Sequence, residues 1–294
     1  MLKTNEDKLV EFGIQGSIIP PIAFGWEVTR KGEAMIFPSV GGITYNVRTG
    51  DSVFDFEADH VEPGVSCIAG SYSDRRTANP NLSFNVYTCI GNEAKLVSGS
   101  AKGKKGTVVG HHGGVEHVLI DFPKTVLEKL TYDDKILVRA VGQGLKLADF
   151  PAIRVTGLSP KLLKKIPIRQ RAKRLAVPVV ARVPAELMGS GLGHNDSFKG
   201  DYDIQTGEPS VLKKYGLEKL RFGDLVAIID HESTYGWSYK LGAVSIAVVV
   251  HGNSHLAGHG PGVQTILTSR DGLIEPILDR HANIGYYLRI GRYR

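Results

Sequence analysis

Gly242-Ala243-Val244-Ser245-Ile246-Ala247-Val248-Val249-Val250 is the stretch whose reading decides the fold. It carries no charge, is rich in β-branched residues, and is of strand rather than helix length. Because it lacks the polar alternation of a half-exposed strand, it predicts a central strand covered on both faces. Such a strand needs neighbours in its own sheet and apolar layers above and below it.

Working outward, the chain supplies those neighbours. Leu9 to Ile19 alternates in polarity and stops at Pro20-Pro21, as a half-buried strand does. Ala34 to Val40, Ile43 to Val47 and Val53 to Phe56 are short β-prone runs separated by Gly41-Gly42 and Thr49-Gly50-Asp51, and read as a meander. Asn85 to Val97 reads as a strand pair turning at Gly91-Asn92, and Gly106 to Gly110 with Val115 to Phe122 as another around His111-His112-Gly113-Gly114. A short helical turn at Pro123 to Leu130 precedes a strand at Ile136 to Val141. Leu127 to Val138 and Leu217 to Ile228 agree in residue type at most positions, which fits either a duplication or a common way of entering a barrel strand.

The 35 glycines and 14 prolines in 294 residues favour turns over long helices, and a chain of this length exceeds what one core comfortably fills. The expected fold class is therefore α+β, mostly β, with two modules of barrel- or sandwich-like sheets and few short helices. The charged, proline-bounded stretch Ile166 to Pro178 reads as the connector, giving an N-terminal β-rich domain over 1–165 and a C-terminal α+β domain over 166–294.

Several function classes fall away. The nearly uncharged run Tyr239 to Gly260 contains Lys240 and three histidines and is broken by glycine, so it does not span a membrane as a helix. The mixed-charge start Met1 to Lys8 lacks a secretion-signal core, so a cytoplasmic location is expected. Cys67 and Cys89 are too few for a disulfide framework or a four-thiolate site and read as small apolar core residues. The sequence shows neither a P-loop nor a dinucleotide fingerprint after a strand, and Gly189-Ser190-Gly191 lacks the spacing of a nucleophile elbow.

Three patches carry possible chemistry. Lys102, Lys104 and Lys105 sit in a glycine-rich turn before a β-branched strand; the turn resembles the KOW element of SH3-like barrels in ribosomal and transcription-elongation proteins, which can touch RNA. The net charge of +6 leaves nucleic acid open as a partner, and the basic connector serves equally as a solvated linker. His111-His112-Gly113-Gly114-Val115-Glu116-His117 offers imidazole density suited to a metal; on a strand His111 and His112 face opposite ways, so at most one joins His117, and a hairpin with polar tips is the alternative.

The third patch flanks the buried strand. Before it stand Asp230, Tyr235 and Tyr239, and after it His251, His255, His259 and Gly260. Spacings of four suggest one helical face for the three histidines, but Gly252, Gly258, Gly260 and Pro261 make the segment a loop. Such a loop can bring imidazoles and bare backbone N–H groups to a metal or an anion. Ser190, in a glycine turn, and Asp201 and Asp203, as carboxylates, are expected to face the same pocket.

The runs Met188 to Gly193, Gly200 to Thr206, Gly223 to Ile228, Tyr235-Gly236, Val249 to His251 and Gly258 to Gly262, with Val61 to Ser66 and Gly142 to Leu145, resemble an uncharacterised prokaryotic family, domain of unknown function 4438. The resemblance spans most of the chain and implies an N-terminal and a C-terminal domain, without implying an activity.

These residues lead to one expectation and two rivals. The leading reading is a small-molecule or anion site, with a divalent metal as possible cofactor. In it His251, His255, Asp230 and Tyr235 are catalytic candidates, and Tyr239, His259, Gly260, Asp201, Asp203 and Ser190 bind the ligand. His251, His255 and His259 would be the metal ligands. The rivals are an RNA-contacting barrel using Lys102, Lys104 and Lys105, and a structural homo-oligomer.

Overall fold

The computed structural model describes residues 2–74 and 79–294. In the N-terminal half the strands are β1 (Phe12–Ile18), β2 (Glu27–Val28), β3 (Ala34–Met35), β4 (Val65–Ile68), β5 (Glu93–Leu96), β6 (Lys105–His112), β7 (His117–Asp121) and β8 (Lys135–Ala140). Helix α1 spans Asn79–Tyr87 and α2 spans Lys124–Leu127. The order β1-β4-β7-β6-β5-β8 closes a barrel, while β2 and β3 form a separate ribbon. Ile18, Val65, Phe84, Leu96, Val118, Ile120, Phe122 and Val138 fill the barrel interior.

The remaining strands are β9 (Ile153–Val155), β10 (Arg169–Arg171), β11 (Arg174–Val179), β12 (Ala181–Val183), β13 (Tyr202–Asp203), β14 (Leu225–Glu232), β15 (Ser238–Val249), β16 (Gly262–Ser269) and β17 (Ile274–Leu278). The remaining α-helices are α3 (Pro160–Lys165), α4 (Pro209–Tyr215) and α5 (Ile284–Leu288). Ser159 starts α3 by accepting the Leu162 N–H, and Gly216 ends α4 in the left-handed region. The main sheet runs β12-β14-β15-β16-β13, with β9 paired to β16. A second sheet contains β10, β11 and β17.

Strand β15 lies in the middle of its sheet, and its alternation is between two cores rather than between core and water. Ile246 and Val248 join one cluster with Val109, Leu119, Leu162 and Leu225. Ala247 and Val249 join another with Val61, Tyr202, Phe222 and Trp237. The absence of charge in Gly242 to Val250 follows from this double burial, and its one polar side chain, Ser245, is buried with its hydroxyl bonded to the His231 carbonyl. None of the described helices is long and apolar enough to cross a membrane.

The meander expected from Ala34 to Phe56 is a correction: only Ala34–Met35 pairs as a strand there. Gly41, Gly42 and Gly50 adopt positive φ, and the backbone bonds outward instead, with Val53 N–H donating to Leu220 and Gly64 N–H to Val47. Asn85 is likewise in α1 rather than a strand; with Asn81 it lies under the β6–β7 turn, both side-chain amides donating to the Glu116 carbonyl. The connector after Ile166 contains the β10–β11 hairpin, turning at Ala172 with φ of 50°. In the two similar segments, Asp134 accepts the Thr131 N–H and Asp224 the Arg221 N–H, the same local turn leading into β8 and β14.

The two halves meet where β6 passes the end of β15. A β-carbon on Gly110 would lie 2.4 Å from Val250 Cγ1, so glycine permits the approach. Gly113 and Gly200 touch in the same way: a β-carbon on Gly200 would lie 3.1 Å from Gly113 Cα. These close passages bring the β6–β7 turn over the loop after β15.

Candidate metal centre

A cavity of about 350 Å³ opens at that meeting, walled by His60 and His112 from the N-terminal half and by Asp201, Asp203, His251 and His259 from the C-terminal half. Each group arrives by a simple geometric rule. Asp201 and Asp203 flank Tyr202 along an extended backbone, so both carboxylates face the cavity while Tyr202 enters the core and stacks on Trp237 at 5.0 Å. His251 follows β15 directly. Opposite it, β6 carries His112 to its last position, where it pairs across the ladder with His117.

Three imidazoles are fixed by the same device. His112 Nδ1 lies 2.6 Å from Glu62 Oε1, His60 Nδ1 is bonded to Asp59, and His251 Nδ1 lies 2.9 Å from the Gly252 carbonyl. With Nδ1 engaged, His60 and His251 turn Nε2 to the other polar groups of the cavity. His251 Nε2 lies 2.9 Å from Asp201 Oδ2 and 3.4 Å from Asp203 Oδ1. His60 Nε2 lies 3.4 Å from Asp203 Oδ2. The His112 and His251 rings stack with centroids 4.1 Å apart. Asp201 Oδ2 is buried and in contact with His251 but lacks hydrogen-bond geometry to any donor, so the contact is one of charge alone.

The supporting groups are themselves held. Glu62 accepts from the Gly41 N–H at 2.7 Å, the Ser66 hydroxyl at 2.5 Å, and His117 Nδ1 at 3.0 Å. Burial pushes the Glu62 carboxyl up, yet His117 and His112 outweigh it and hold it well below the usual range. Asp59 accepts from the Ser254 hydroxyl at 2.9 Å and the His255 N–H at 2.7 Å, tying the His60 loop to the His251 loop. His60 adopts φ of 53°, a left-handed backbone in a non-glycine residue that points its ring at the cavity wall.

The charged states follow from position. His251 is desolvated, which lowers its pKa, but Asp201 and Asp203 raise it well above the ordinary value. Asp203 is desolvated too, and its bonds to His251, His259 and His60 hold it well below. Burial and the neighbouring His251 charge keep His112 low, so its ring is neutral. A proton thus sits among carboxylates on a nitrogen that a cation would otherwise occupy.

Two donor groups have ligand atoms all within 4.8 Å of one another: His60, Asp203 and His251, and His112, Asp201 and His251. Gly262 lies against them, since a β-carbon there would be 1.9 Å from Asp201 Oδ2 and 2.1 Å from His251 Nε2.

Of the residues expected at the site, His251, His259, Asp201, Asp203 and Ser190 line this cavity, and Gly260 contributes its N–H to Asp203 Oδ2 at 3.3 Å. Four others are corrected. The His255 ring stacks on Phe37 at 4.4 Å, because the loop turns it away while its N–H serves Asp59. Asp230 occupies the bulge between β14 and β15 and accepts the Gly242 N–H. Tyr235 and Tyr239 are 77% and 63% exposed at the hairpin end and do not line the cavity.

The lysine turn joins β5 to β6 on the barrel surface, with Lys102 and Lys104 exposed and Lys105 paired to Glu93 at 3.0 Å. His111 faces away from His112, toward Gln264 and Thr88. Reading the sequence missed His60 and Glu62 altogether and placed His112 in a patch of its own. The dense run Asp59-His60-Val61-Glu62 was the available signal.

No curated protein matched the chain. Among solved structures the chain is similar to one titled "Crystal structure of TM1086", with 45% identity, a TM-score of 0.91, and coverage of 97% of this chain and 99% of that one. Residues 26–164 match the N-terminal part, and residues 165–288 the C-terminal part, of a domain of unknown function, so the chain belongs to the DUF4438 family.

Proposed function

We propose that the protein binds a divalent cation between its two halves and uses it to hold and polarise an oxygen of a small molecule. The observation that carries this reading is the Nδ1 tether on three separate imidazoles, which in His60 and His251 directs the opposite nitrogen at two buried carboxylates. A metal-ligating histidine is held through one ring nitrogen by a carboxylate or carbonyl and presents the other toward the ion. Imidazole and carboxylate donors without thiolate suit a first-row divalent ion.

A cavity of about 350 Å³ is of the size that takes a metabolite. Phe24, Val40, Val115 and Trp237 give it apolar walls, and Ser190, His194 and Asp196 add polar ones. A cation there would act as a Lewis acid on a carbonyl, carboxyl or phosphoryl oxygen and would lower the pKa of a bound water.

The test is calorimetric and thermal titration of chelator-treated protein with Zn²⁺ and Mn²⁺. Binding is expected to raise the melting temperature, since free ion at a hundredfold excess over Kd stabilises the folded state by about 2.7 kcal/mol. His251→Ala is expected to diminish the rise. Absence of binding by the wild-type protein would refute the reading.

A further inference from the structure

The two donor groups compete for one atom. Both include His251, whose Nδ1 is engaged with the Gly252 carbonyl, so only Nε2 remains and it can serve a single ion. Nor can one ion satisfy every donor. Metal–ligand bonds of about 2.0–2.2 Å separate donors on opposite sides of an ion by at most about 4.4 Å, and the five side chains of the two groups fall into two sets of three rather than one.

His259 resolves the competition. Its Nδ1 lies 3.1 Å from His60 Nε2 and 3.1 Å from Asp203 Oδ2, and His60 Nε2 lies 3.4 Å from the same oxygen. All three separations fit donors sharing one face of an ion. With that face complete, His251 is free to join His112 and Asp201. Asp203 spans the two sets, its Oδ2 in the first and its Oδ1 3.4 Å from His251 Nε2 in the second.

We propose that the cavity holds two divalent cations, one on His60, His259 and Asp203 and the other on His112, His251 and Asp201, with Asp203 bridging them. This rests on the metal-binding reading above and extends it. Paired cations of this kind hold the attacking and leaving oxygens of a displacement at once, which suits a substrate with a hydrolysable ester or phosphoryl group.

The experiment is titration of chelator-treated full-length protein with Mn²⁺, read by calorimetry, by metal content after buffer exchange, and by electron paramagnetic resonance. Two equivalents with an exchange-coupled signal are expected. His259→Ala, a change in a partly exposed loop, should leave one equivalent and an uncoupled signal, and His112→Ala should remove the other equivalent. Asp203→Asn should eliminate the coupling. One equivalent in the wild-type protein would overturn the pair while leaving the single-cation reading standing, and no binding would overturn both. Two equivalents untouched by His259→Ala and Asp203→Asn would place the ions elsewhere and overturn the assignment.

Discussion

The two ends of β15 make an instructive contrast. Both carry histidine, aspartate or tyrosine beside the same buried strand, yet one end is a surface hairpin and the other a metal-binding candidate. At the hairpin end, Tyr235, Tyr239 and Leu241 project into solvent, and the Arg154 guanidinium over the Tyr235 ring is a weak contact. At the far end His251 is completely buried and meets a second element, the β6–β7 turn. Polar residues become a site only where another part of the chain closes over them and removes water.

The most severe way to break this contrast is to remove the far end's donors. His251→Ala combined with Asp203→Ala should abolish cation binding, measured by calorimetry, because no group on the hairpin side can substitute. Next comes Glu62→Gln, which keeps the shape but removes the charge beneath His112 and His117. Hydrogen bonds to a charged group contribute about 1.5–3 kcal/mol each, and loss of an outer-shell partner weakens metal affinity about 10–100-fold. Chemical denaturation and metal titration should show both losses.

Gly262→Ala probes the close approach itself. The added methyl displaces Asp201 or His251, and overpacking of this kind costs about 1–3 kcal/mol. The expected result is weaker cation binding together with a lower denaturation midpoint.

Acid offers a further test, through the residue on the other side of β6. Burial pushes His111 down from 6.5 to about 4, so its ring stays neutral between Gln264 and Thr88. The unfolded chain binds this proton below about pH 6.5, and the folded one only near pH 4. Stability should therefore fall as pH drops through that window, by about 3 kcal/mol in full. His111→Gln should flatten this part of the pH profile of the denaturation midpoint.

The smallest effects are expected at the exposed positions. Tyr235→Ala, Tyr239→Ala and the change of Lys102 and Lys104 to glutamate should each leave stability within about 0.5 kcal/mol. Cation binding should also be unchanged. A hairpin-end variant that lost the cation would erase the distinction between the two ends.

Much of the fold could be read from local pattern. Gly242 to Val250 predicted its own burial, and the loop character of His251 to Gly260 followed from its glycines. Reading failed where backbone partners were distant: Val53 bonds to Leu220, and no local pattern distinguishes that from strand pairing. At the site, Asp201 and Asp203 were read only as carboxylates near a glycine turn; the structure sets both on the cavity wall, either side of the buried Tyr202. His255 was misjudged because a stacking partner, Phe37, lies far back in the chain.

The sequence by itself determined which segments are apolar, which are extended, and where the polar groups flank them, since these depend on residues close in the chain. Only the tertiary structure decided that His60, His112, His251 and His259 share one cavity. That outcome depends on backbone passages such as Gly110 against Val250, contacts whose partners lie far apart in the chain and whose energies no local window contains.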